Sequence, residues 1–438
     1  MTGFEIGIVS VLAILVLVYA GMHVPVVLTL VSFLGTWIIT GNFEITVNLL
    51  ALKSAETIAS QEFAVIPLFV LMGLLVSGSN IAREVFEVAN HYLRRVVGGL
   101  GVATVLANAV FAAITGVSIA SAAVFTRIAV PEMRRLGYGR RFSVGVVAGS
   151  SVLGMLIPPS ILLIVYAFLA EQSVGALFVG AVMPGLLLAF LYCAGILLLG
   201  LVRPDIVGGH AAVQALGGYR GSIDARETLR RLAPIAALVF LVIGGIYAGW
   251  FTPTEAGAIG AAGALAIVAL KGRLQGRAFW GIAVETGHVT ASICFLIIAA
   301  GMYSAMLGMS GISNELERWV TQAHFGQWSL LLVYLLILLV LGTLLDSISI
   351  MLITVPIFLP LFAPFGLNLV WLGVLTVIVV EIGLLTPPLG ISVYVVKNTL
   401  NEDDISLADI FAGAAPFALI MLAVAALVVA VPAITTVF

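Results

Sequence analysis

Gly154-Met155-Leu156-Ile157-Pro158-Pro159-Ser160-Ile161 interrupts an apolar run, residues 142–170, that otherwise reads as one membrane span. Two adjacent prolines stop a helix, because neither donates an N–H and each ring clashes with the turn before it. The same pattern returns 229 residues later (387 minus 158) as Gly383-Leu384-Leu385-Thr386-Pro387-Pro388-Leu389-Gly390-Ile391. Backbone left unpaired in lipid costs several kcal/mol per group, so such a break survives only inside protein or beside a cavity. A single Pro-Pro reads first as a kink. Its recurrence at matching places in two halves of one chain reads as a site.

The rest of the chain is built for the same solvent. Of 438 residues, 62% are hydrophobic and 9% charged, where a soluble domain carries about 25% charge. Ten stretches are long enough to cross a bilayer, which takes roughly 20 apolar residues. They are 4–22, 24–41, 63–79, 142–170, 174–201, 232–249, 255–271, 289–309, 369–397 and 416–436. Two more, 98–130 and 327–360, are too long for one span. Each is interrupted near its middle, by Thr115-Gly116-Val117-Ser118 and by Thr343-Leu344-Leu345-Asp346-Ser347. A net charge of −2 excludes nucleic-acid binding. Cys193 and Cys294 lie in apolar spans and read as packing residues. His23, His91, His210, His288 and His324 lack the spacing of metal ligands. The first apolar stretch has no basic residue before it and no convincing cleavage site, so a retained span is expected rather than a signal peptide.

Charge decides how these segments thread. Twelve of the 19 Lys and Arg fall in three loops: 131–141 (Arg134, Arg135, Arg140, Arg141), 202–231 (Arg203, Arg220, Arg226, Arg230, Arg231) and 271–277 (Lys271, Arg273, Arg277). Two spans separate each loop from the next, so all three share a side, which the positive-inside rule makes cytoplasmic. Arg94 and Arg95 precede segment 98–130 on that side, so it enters from the cytoplasm and returns, a re-entrant hairpin with its tip at Gly116–Ser121. Placing Lys397 inside requires 327–360 to be a second hairpin, entering from outside, and both termini then lie outside. The expected fold is an all-α polytopic membrane protein, an inverted-topology repeat with two re-entrant helical hairpins and two proline-broken spans. Transporters of this kind bind substrate and ions near the midplane, where broken helices offer carbonyls to cations and half-helix N-termini to anions. Segments 43–62, 80–96, 273–288 and 312–326 carry charge beside apolar residues and are expected along the membrane surface.

Few polar groups lie at the breaks. Ser118 and Ser121, three apart, share a face of the returning helix, and hydroxyls with carbonyls suit a hard cation such as sodium. Asp346 is a cation ligand or the cap of the second returning helix, where its charge meets the positive dipole end. Glu381 is a proton carrier or the partner of an arginine. Intramembrane carboxylates are functional by default, so proton coupling through Glu381 or Asp346 is the alternative to sodium. Arg127 either snorkels to the surface or supplies positive potential to an anion. Glu255, in Phe251-Thr252-Pro253-Thr254-Glu255-Ala256, reads as helix-start chemistry. No catalytic constellation and no Walker-type phosphate loop emerges from the residue order, which points to a secondary transporter and not an enzyme.

Six short motifs then occur in order: Gly116-Val117-Ser118-Ile119-Ala120-Ser121-Ala122-Ala123; Val130-Pro131-Glu132-Met133 through Gly137-Tyr138; Leu156-Ile157-Pro158-Pro159-Ser160-Ile161; Phe251 to Ala256; Leu345-Asp346 with Val355-Pro356; and Leu385-Thr386-Pro387-Pro388-Leu389-Gly390. Together they resemble the large membrane subunit of the tripartite ATP-independent periplasmic (TRAP) transporters, the DctM-like family, over essentially the whole chain. The resemblance implies a permease of the bacterial inner membrane that imports small organic acids on a sodium gradient, with no cofactor beyond sodium ions. It implies two partners, a periplasmic substrate-binding protein and a small four-helix membrane subunit, here a separate chain. It also implies elevator movement, dividing the chain into scaffold spans with an interfacial helix (1–97), a first transport half (98–170), central spans and scaffold (171–326), a second transport half (327–400) and a C-terminal interfacial segment and span (401–438). By the same resemblance one sodium site combines Gly116 and Ser118 with Gly154, Ile157 and Pro159. Its symmetry mate combines Gly342, Thr343 and Asp346 with Thr386, Pro388 and Gly390. Ser121, Arg127 and Ser160 are the expected substrate contacts. Val117 stands where the family often has a second serine, and Ser392 where asparagine is common.

Overall fold

The structure, a computed structural model, describes residues 2–209, 212–214, 223–272, 276–323, 325–400 and 404–436. His210, Arg220, Arg273 and His324 lie outside the described residues. The described chain is helical, its one strand-like pairing a bridge between Tyr138 and Val207. Six helices are long and apolar enough to cross a membrane: Val174–Val202, Ala225–Tyr247, Pro253–Leu270, Gly276–Ser310, Ser347–Phe365 and Leu407–Ala430. Two bent pairs raise the number to eight, Val65–Ser77 with Ile81–Leu93 at 60° and Arg140–Leu156 with Ile161–Leu169 at 44°.

Ten full spans were expected, and the difference has physical causes. Stretches 4–22 and 24–41 form the 17-residue helices Gly3–Tyr19 and Val24–Thr40. At 1.5 Å per residue each is about 25 Å long, the short limit for a bilayer core. Stretch 369–397 divides into Leu369–Gly383 and Ile391–Thr399 around the second Pro-Pro. The last helix runs Leu407–Ala430, not 416–436, because Ser406 and Asp409 form a capping box that starts it earlier. Segment 273–288 is not a separate surface helix. From Gly276 it runs unbroken into Gly276–Ser310, 35 residues without a proline. The other segments expected at the surface form separate helices, Phe43–Ala59, Ile81–Leu93 and Ile312–Gln322, the second of which belongs to the first bent pair.

Both interrupted segments fold as helix–turn–helix hairpins. In the first, Gly99–Thr115 stops at Gly116, Val117 is extended, and Ser118–Arg135 returns. Phe111 and Phe125 close it edge to face, centroids 5.7 Å apart. The second pairs Gln327–Gly342 with Ser347–Phe362, and Tyr334 packs on Phe358 and Phe362 at 4.9 and 5.6 Å.

Polar contacts fix the direction of each half. At one end of the molecule the turn after the first hairpin meets the loop after Val202, with Gly139 N–H donating to the Ile206 carbonyl at 2.9 Å. Arg231 bonds Glu87 at 2.8 Å and Lys271 bonds Glu84, so helix Ile81–Leu93 is clasped from the other two basic loops. Lys397 reaches the same end, since its Nζ donates to the Ile405 carbonyl at 2.7 Å while Arg134 bonds the adjacent Asp404 at 2.8 Å. At the far end, the Tyr166 hydroxyl donates to the Leu369 carbonyl at 3.0 Å. The first broken segment therefore runs from the basic end to the far end, and the second runs back. Their packing is reciprocal. Ser118–Arg135 of the first hairpin lies on Ile391–Thr399, past the second break, and Ser347–Phe362 of the second lies on Ile161–Leu169, past the first. The C-terminal helix packs along Arg140–Ser151, so closely that a Cβ on Gly145 would stand 2.1 Å from the Gly413 carbonyl carbon.

Candidate functional site: two hairpin tips against two proline breaks

Each tip meets the break of its own half. Gly116 has φ +63°, which glycine adopts without strain, and a Cβ there would lie 2.4 Å from the Pro159 carbonyl oxygen. The Ile161 N–H donates to the Gly116 carbonyl at 3.4 Å. Gly154 faces Val117 and Ser118, with 3.0 Å available to a Cβ. In the second half the Leu389 N–H donates to the Thr343 carbonyl at 3.1 Å, and Gly342 and Gly383 pack backbone to backbone. The Pro158–Pro159 and Pro387–Pro388 peptide bonds are both cis. Thus Gly116, Ser118, Gly154 and Pro159 gather at one junction and Gly342, Thr343 and Leu389 at the other. Gly390, with φ +56°, starts helix Ile391–Thr399 against Phe411.

The two junctions differ in polarity and burial. At the first, residues 157–160 are all buried, and the hydroxyls of Ser118 and Ser121 have no hydrogen-bond partner. A buried polar group without a partner is rare in a native structure and calls for an explanation. The Ser160 hydroxyl is already engaged, accepting from Leu163 N–H at 3.3 Å and donating to the Met155 carbonyl. At the second junction Pro387, Pro388 and Leu389 are exposed. Thr343 and Thr386 each donate back to their own helices at 2.8 Å. Asp346 caps Ser347–Phe362, accepting from Ser349 N–H at 3.1 Å and from the Ser349 hydroxyl. Both oxygens of its carboxylate take part, one with each Ser349 donor. Glu255 likewise forms a capping box with Thr252. Arg127 is exposed, nine residues beyond Ser118 (127 minus 118), or about 14 Å along the helix.

Between the junctions sits Glu381, fully buried. Its Oε1 accepts from the Ser347 hydroxyl at 2.8 Å, while Oε2 has no partner. The Ser118 hydroxyl lies beside the same carboxylate without completing a hydrogen bond. No arginine or lysine among the described residues pairs with it, which removes the ion-pair reading. Sequence reasoning passed over Ser347. The signal was present: 347 minus 118 is 229, the offset of the two Pro-Pro pairs. Ser392, which the sequence marked only as a departure from the family pattern, also has a buried hydroxyl without a hydrogen-bond partner, on the helix that packs against Ser118–Arg135.

Comparison with known proteins gives the same direction. The profile of the tripartite ATP-independent periplasmic transporter DctM component matches residues 11–434. The C4-dicarboxylate TRAP transporter large permease protein DctM of Pseudomonas aeruginosa is 33% identical over 391 residues, 89% of each chain. The isethionate TRAP transporter permease protein DctMQ of Oleidesulfovibrio alaskensis is 28% identical across 95% of this chain and 64% of its own length. The solved YdaH transporter of Alcanivorax borkumensis shares the fold, with a TM-score of 0.57 over 86% of each chain at 14% identity.

Proposed function

The chain belongs to the DctM component family of the tripartite ATP-independent periplasmic transporters, and from that membership we propose that it is the large permease subunit of a sodium-driven importer of small organic anions. It is a multi-pass membrane permease and not an enzyme. The observation that carries the sodium reading is the first junction, where two fully buried serine hydroxyls lack partners beside a proline-broken helix. Oxygen donors of this kind hold a hard monovalent cation by dipoles, which favours binding weak enough for release in every cycle. The hairpins are re-entrant from opposite faces of the inner membrane, the basic end is cytoplasmic, and both termini are periplasmic. The hairpins and breaks move together as an elevator against the remaining helices. A periplasmic binding protein delivers the anion. The separate small subunit corresponds to the extra length of the DctMQ relative.

Thermal stability of this chain with its small subunit, in sodium against choline at equal ionic strength, tests the reading. A ligand of the native state at 100 times its Kd stabilises it by about 2.7 kcal/mol, so a sodium-specific rise is expected, smaller in Ser118→Ala. No rise at any sodium concentration would overturn it. Proton coupling is the second reading, favoured by the unpartnered Oε2 of Glu381. It predicts uptake that ignores sodium and is abolished in Glu381→Gln.

A further inference from the structure

We propose that Glu381 is a positioning residue that ties the two hairpin tips together, so that occupation of one tip is felt at the other. Ser118 and Ser347 are the first residues of the two returning helices, separated by the 229-residue offset of the repeat. Ser347 donates to one buried carboxylate at 2.8 Å, and the Ser118 hydroxyl lies beside that carboxylate with its own hydrogen bond unmade, as is that of the Glu381 Oε2. The repeat is asymmetric here. The position matching Glu381 in the first half (381 minus 229) is Val152, fully buried and apolar. One acidic side chain on the second broken segment thus stands at both halves, and among the described residues it has no basic partner that would make it a structural ion pair. A carboxylate accepts several hydrogen bonds at once, so a small rotation of either returning helix hands Glu381 from one serine toward the other. Two tips sharing one acceptor have a coupling free energy between them. A buried polar group left without a partner is costly, and the free Glu381 oxygen beside two movable donors gives that cost a use in the cycle.

The test uses the complete transporter, this chain with its small subunit and binding protein, in proteoliposomes. Sodium activation of uptake is measured for wild type, Glu381→Ala, Glu381→Gln and Ser347→Ala, with amide exchange of both tips recorded on the same samples. In Glu381→Ala the activation curve is expected to flatten to a Hill coefficient of about 1, and residues 116–121 and 345–350 are expected to exchange faster together. Glu381→Gln, whose amide still accepts from one serine and donates to the other, is expected to keep both behaviours. Ser347→Ala in the Glu381→Ala background is expected to add nothing. An unchanged curve shape in Glu381→Ala, or faster exchange at the second tip alone, would overturn the proposal. So would a Gln variant that behaves as Ala does, because charge and not the tie would then be what matters. The activation readout rests on the sodium reading above. A wild-type protein with no sodium activation would sink that reading alone, and the exchange pattern would then decide the tie by itself.

Discussion

Gly116 is where a single side-chain atom decides the most. Its positive φ ends one hairpin helix, and its missing Cβ lets the turn touch the Pro159 carbonyl. An alanine there adopts the left-handed region at a cost of about 1–2 kcal/mol and collides with that carbonyl as well. Gly116→Ala is therefore expected to lower the melting temperature and to move the tip off the break. The check is a melt combined with sodium activation, in which Ala weakens both. A melt equal to wild type would mean that the tip does not need this contact. Serines 118 and 121 were visible as candidates because spacing places them on one helix face. Glu381 was visible as an intramembrane carboxylate. Its neighbours were not visible, because a contact between residues 34 apart (381 minus 347) has no signature in either local stretch.

For single elements, the returning helix of the second hairpin separates two roles of Asp346. Asparagine caps as well as aspartate, while loss of a cap to alanine costs about 1 kcal/mol. If Asp346 only caps, Asp346→Asn keeps stability and sodium activation, and Asp346→Ala loses stability. If it also holds a cation, Asn keeps the melt but raises the sodium concentration needed for half-activation, as uptake titrations with the two variants will distinguish. The ends of helices show why element boundaries are hard to read from hydropathy. The stretch predicted to begin at 416 starts at Leu407 because a capping box outweighs the charges that precede the apolar run. Residues 276–288 look amphipathic and surface-bound, yet nothing in them stops a helix, so they extend their neighbour to 35 residues.

Across the whole molecule, the two junctions are related by the repeat but are not equally open. Ile157 is 7% exposed at the first, whereas Leu389 is 40% exposed at the second. The alternating-access cycle proposed above would make the two junctions meet water in turn. A water-soluble thiol reagent is expected to modify Leu389→Cys quickly and Ile157→Cys slowly in the resting transporter, with the order reversing as substrate and sodium drive turnover. Equal rates under both conditions would show that the exposure difference is not tied to the cycle. The C-terminal helix belongs in the same picture. It clamps the first broken segment through Arg141 and Asp409, 2.8 Å apart, and through the Gly145–Gly413 contact. That makes it part of the hairpin and break assembly and not a peripheral span.

The amino-acid sequence by itself determined that this is a polytopic helical protein, broken twice at Pro-Pro, with three basic loops on one side and an interrupted segment before and after them. Those properties follow from local chemistry, since proline lacks a donor, lipid tolerates no unpaired backbone and charge stays at the surface, and each can be summed along the chain. Only the tertiary structure decided that each tip packs on its own break while each returning helix packs on the other half. It also decided that Ser160, Thr343 and Thr386 are engaged locally, that Ser118 and Ser121 are left without partners, and that Ser347 donates to the buried Glu381. These depend on how two halves 229 residues apart close on each other, and that closure is set by the packing of many side chains at once.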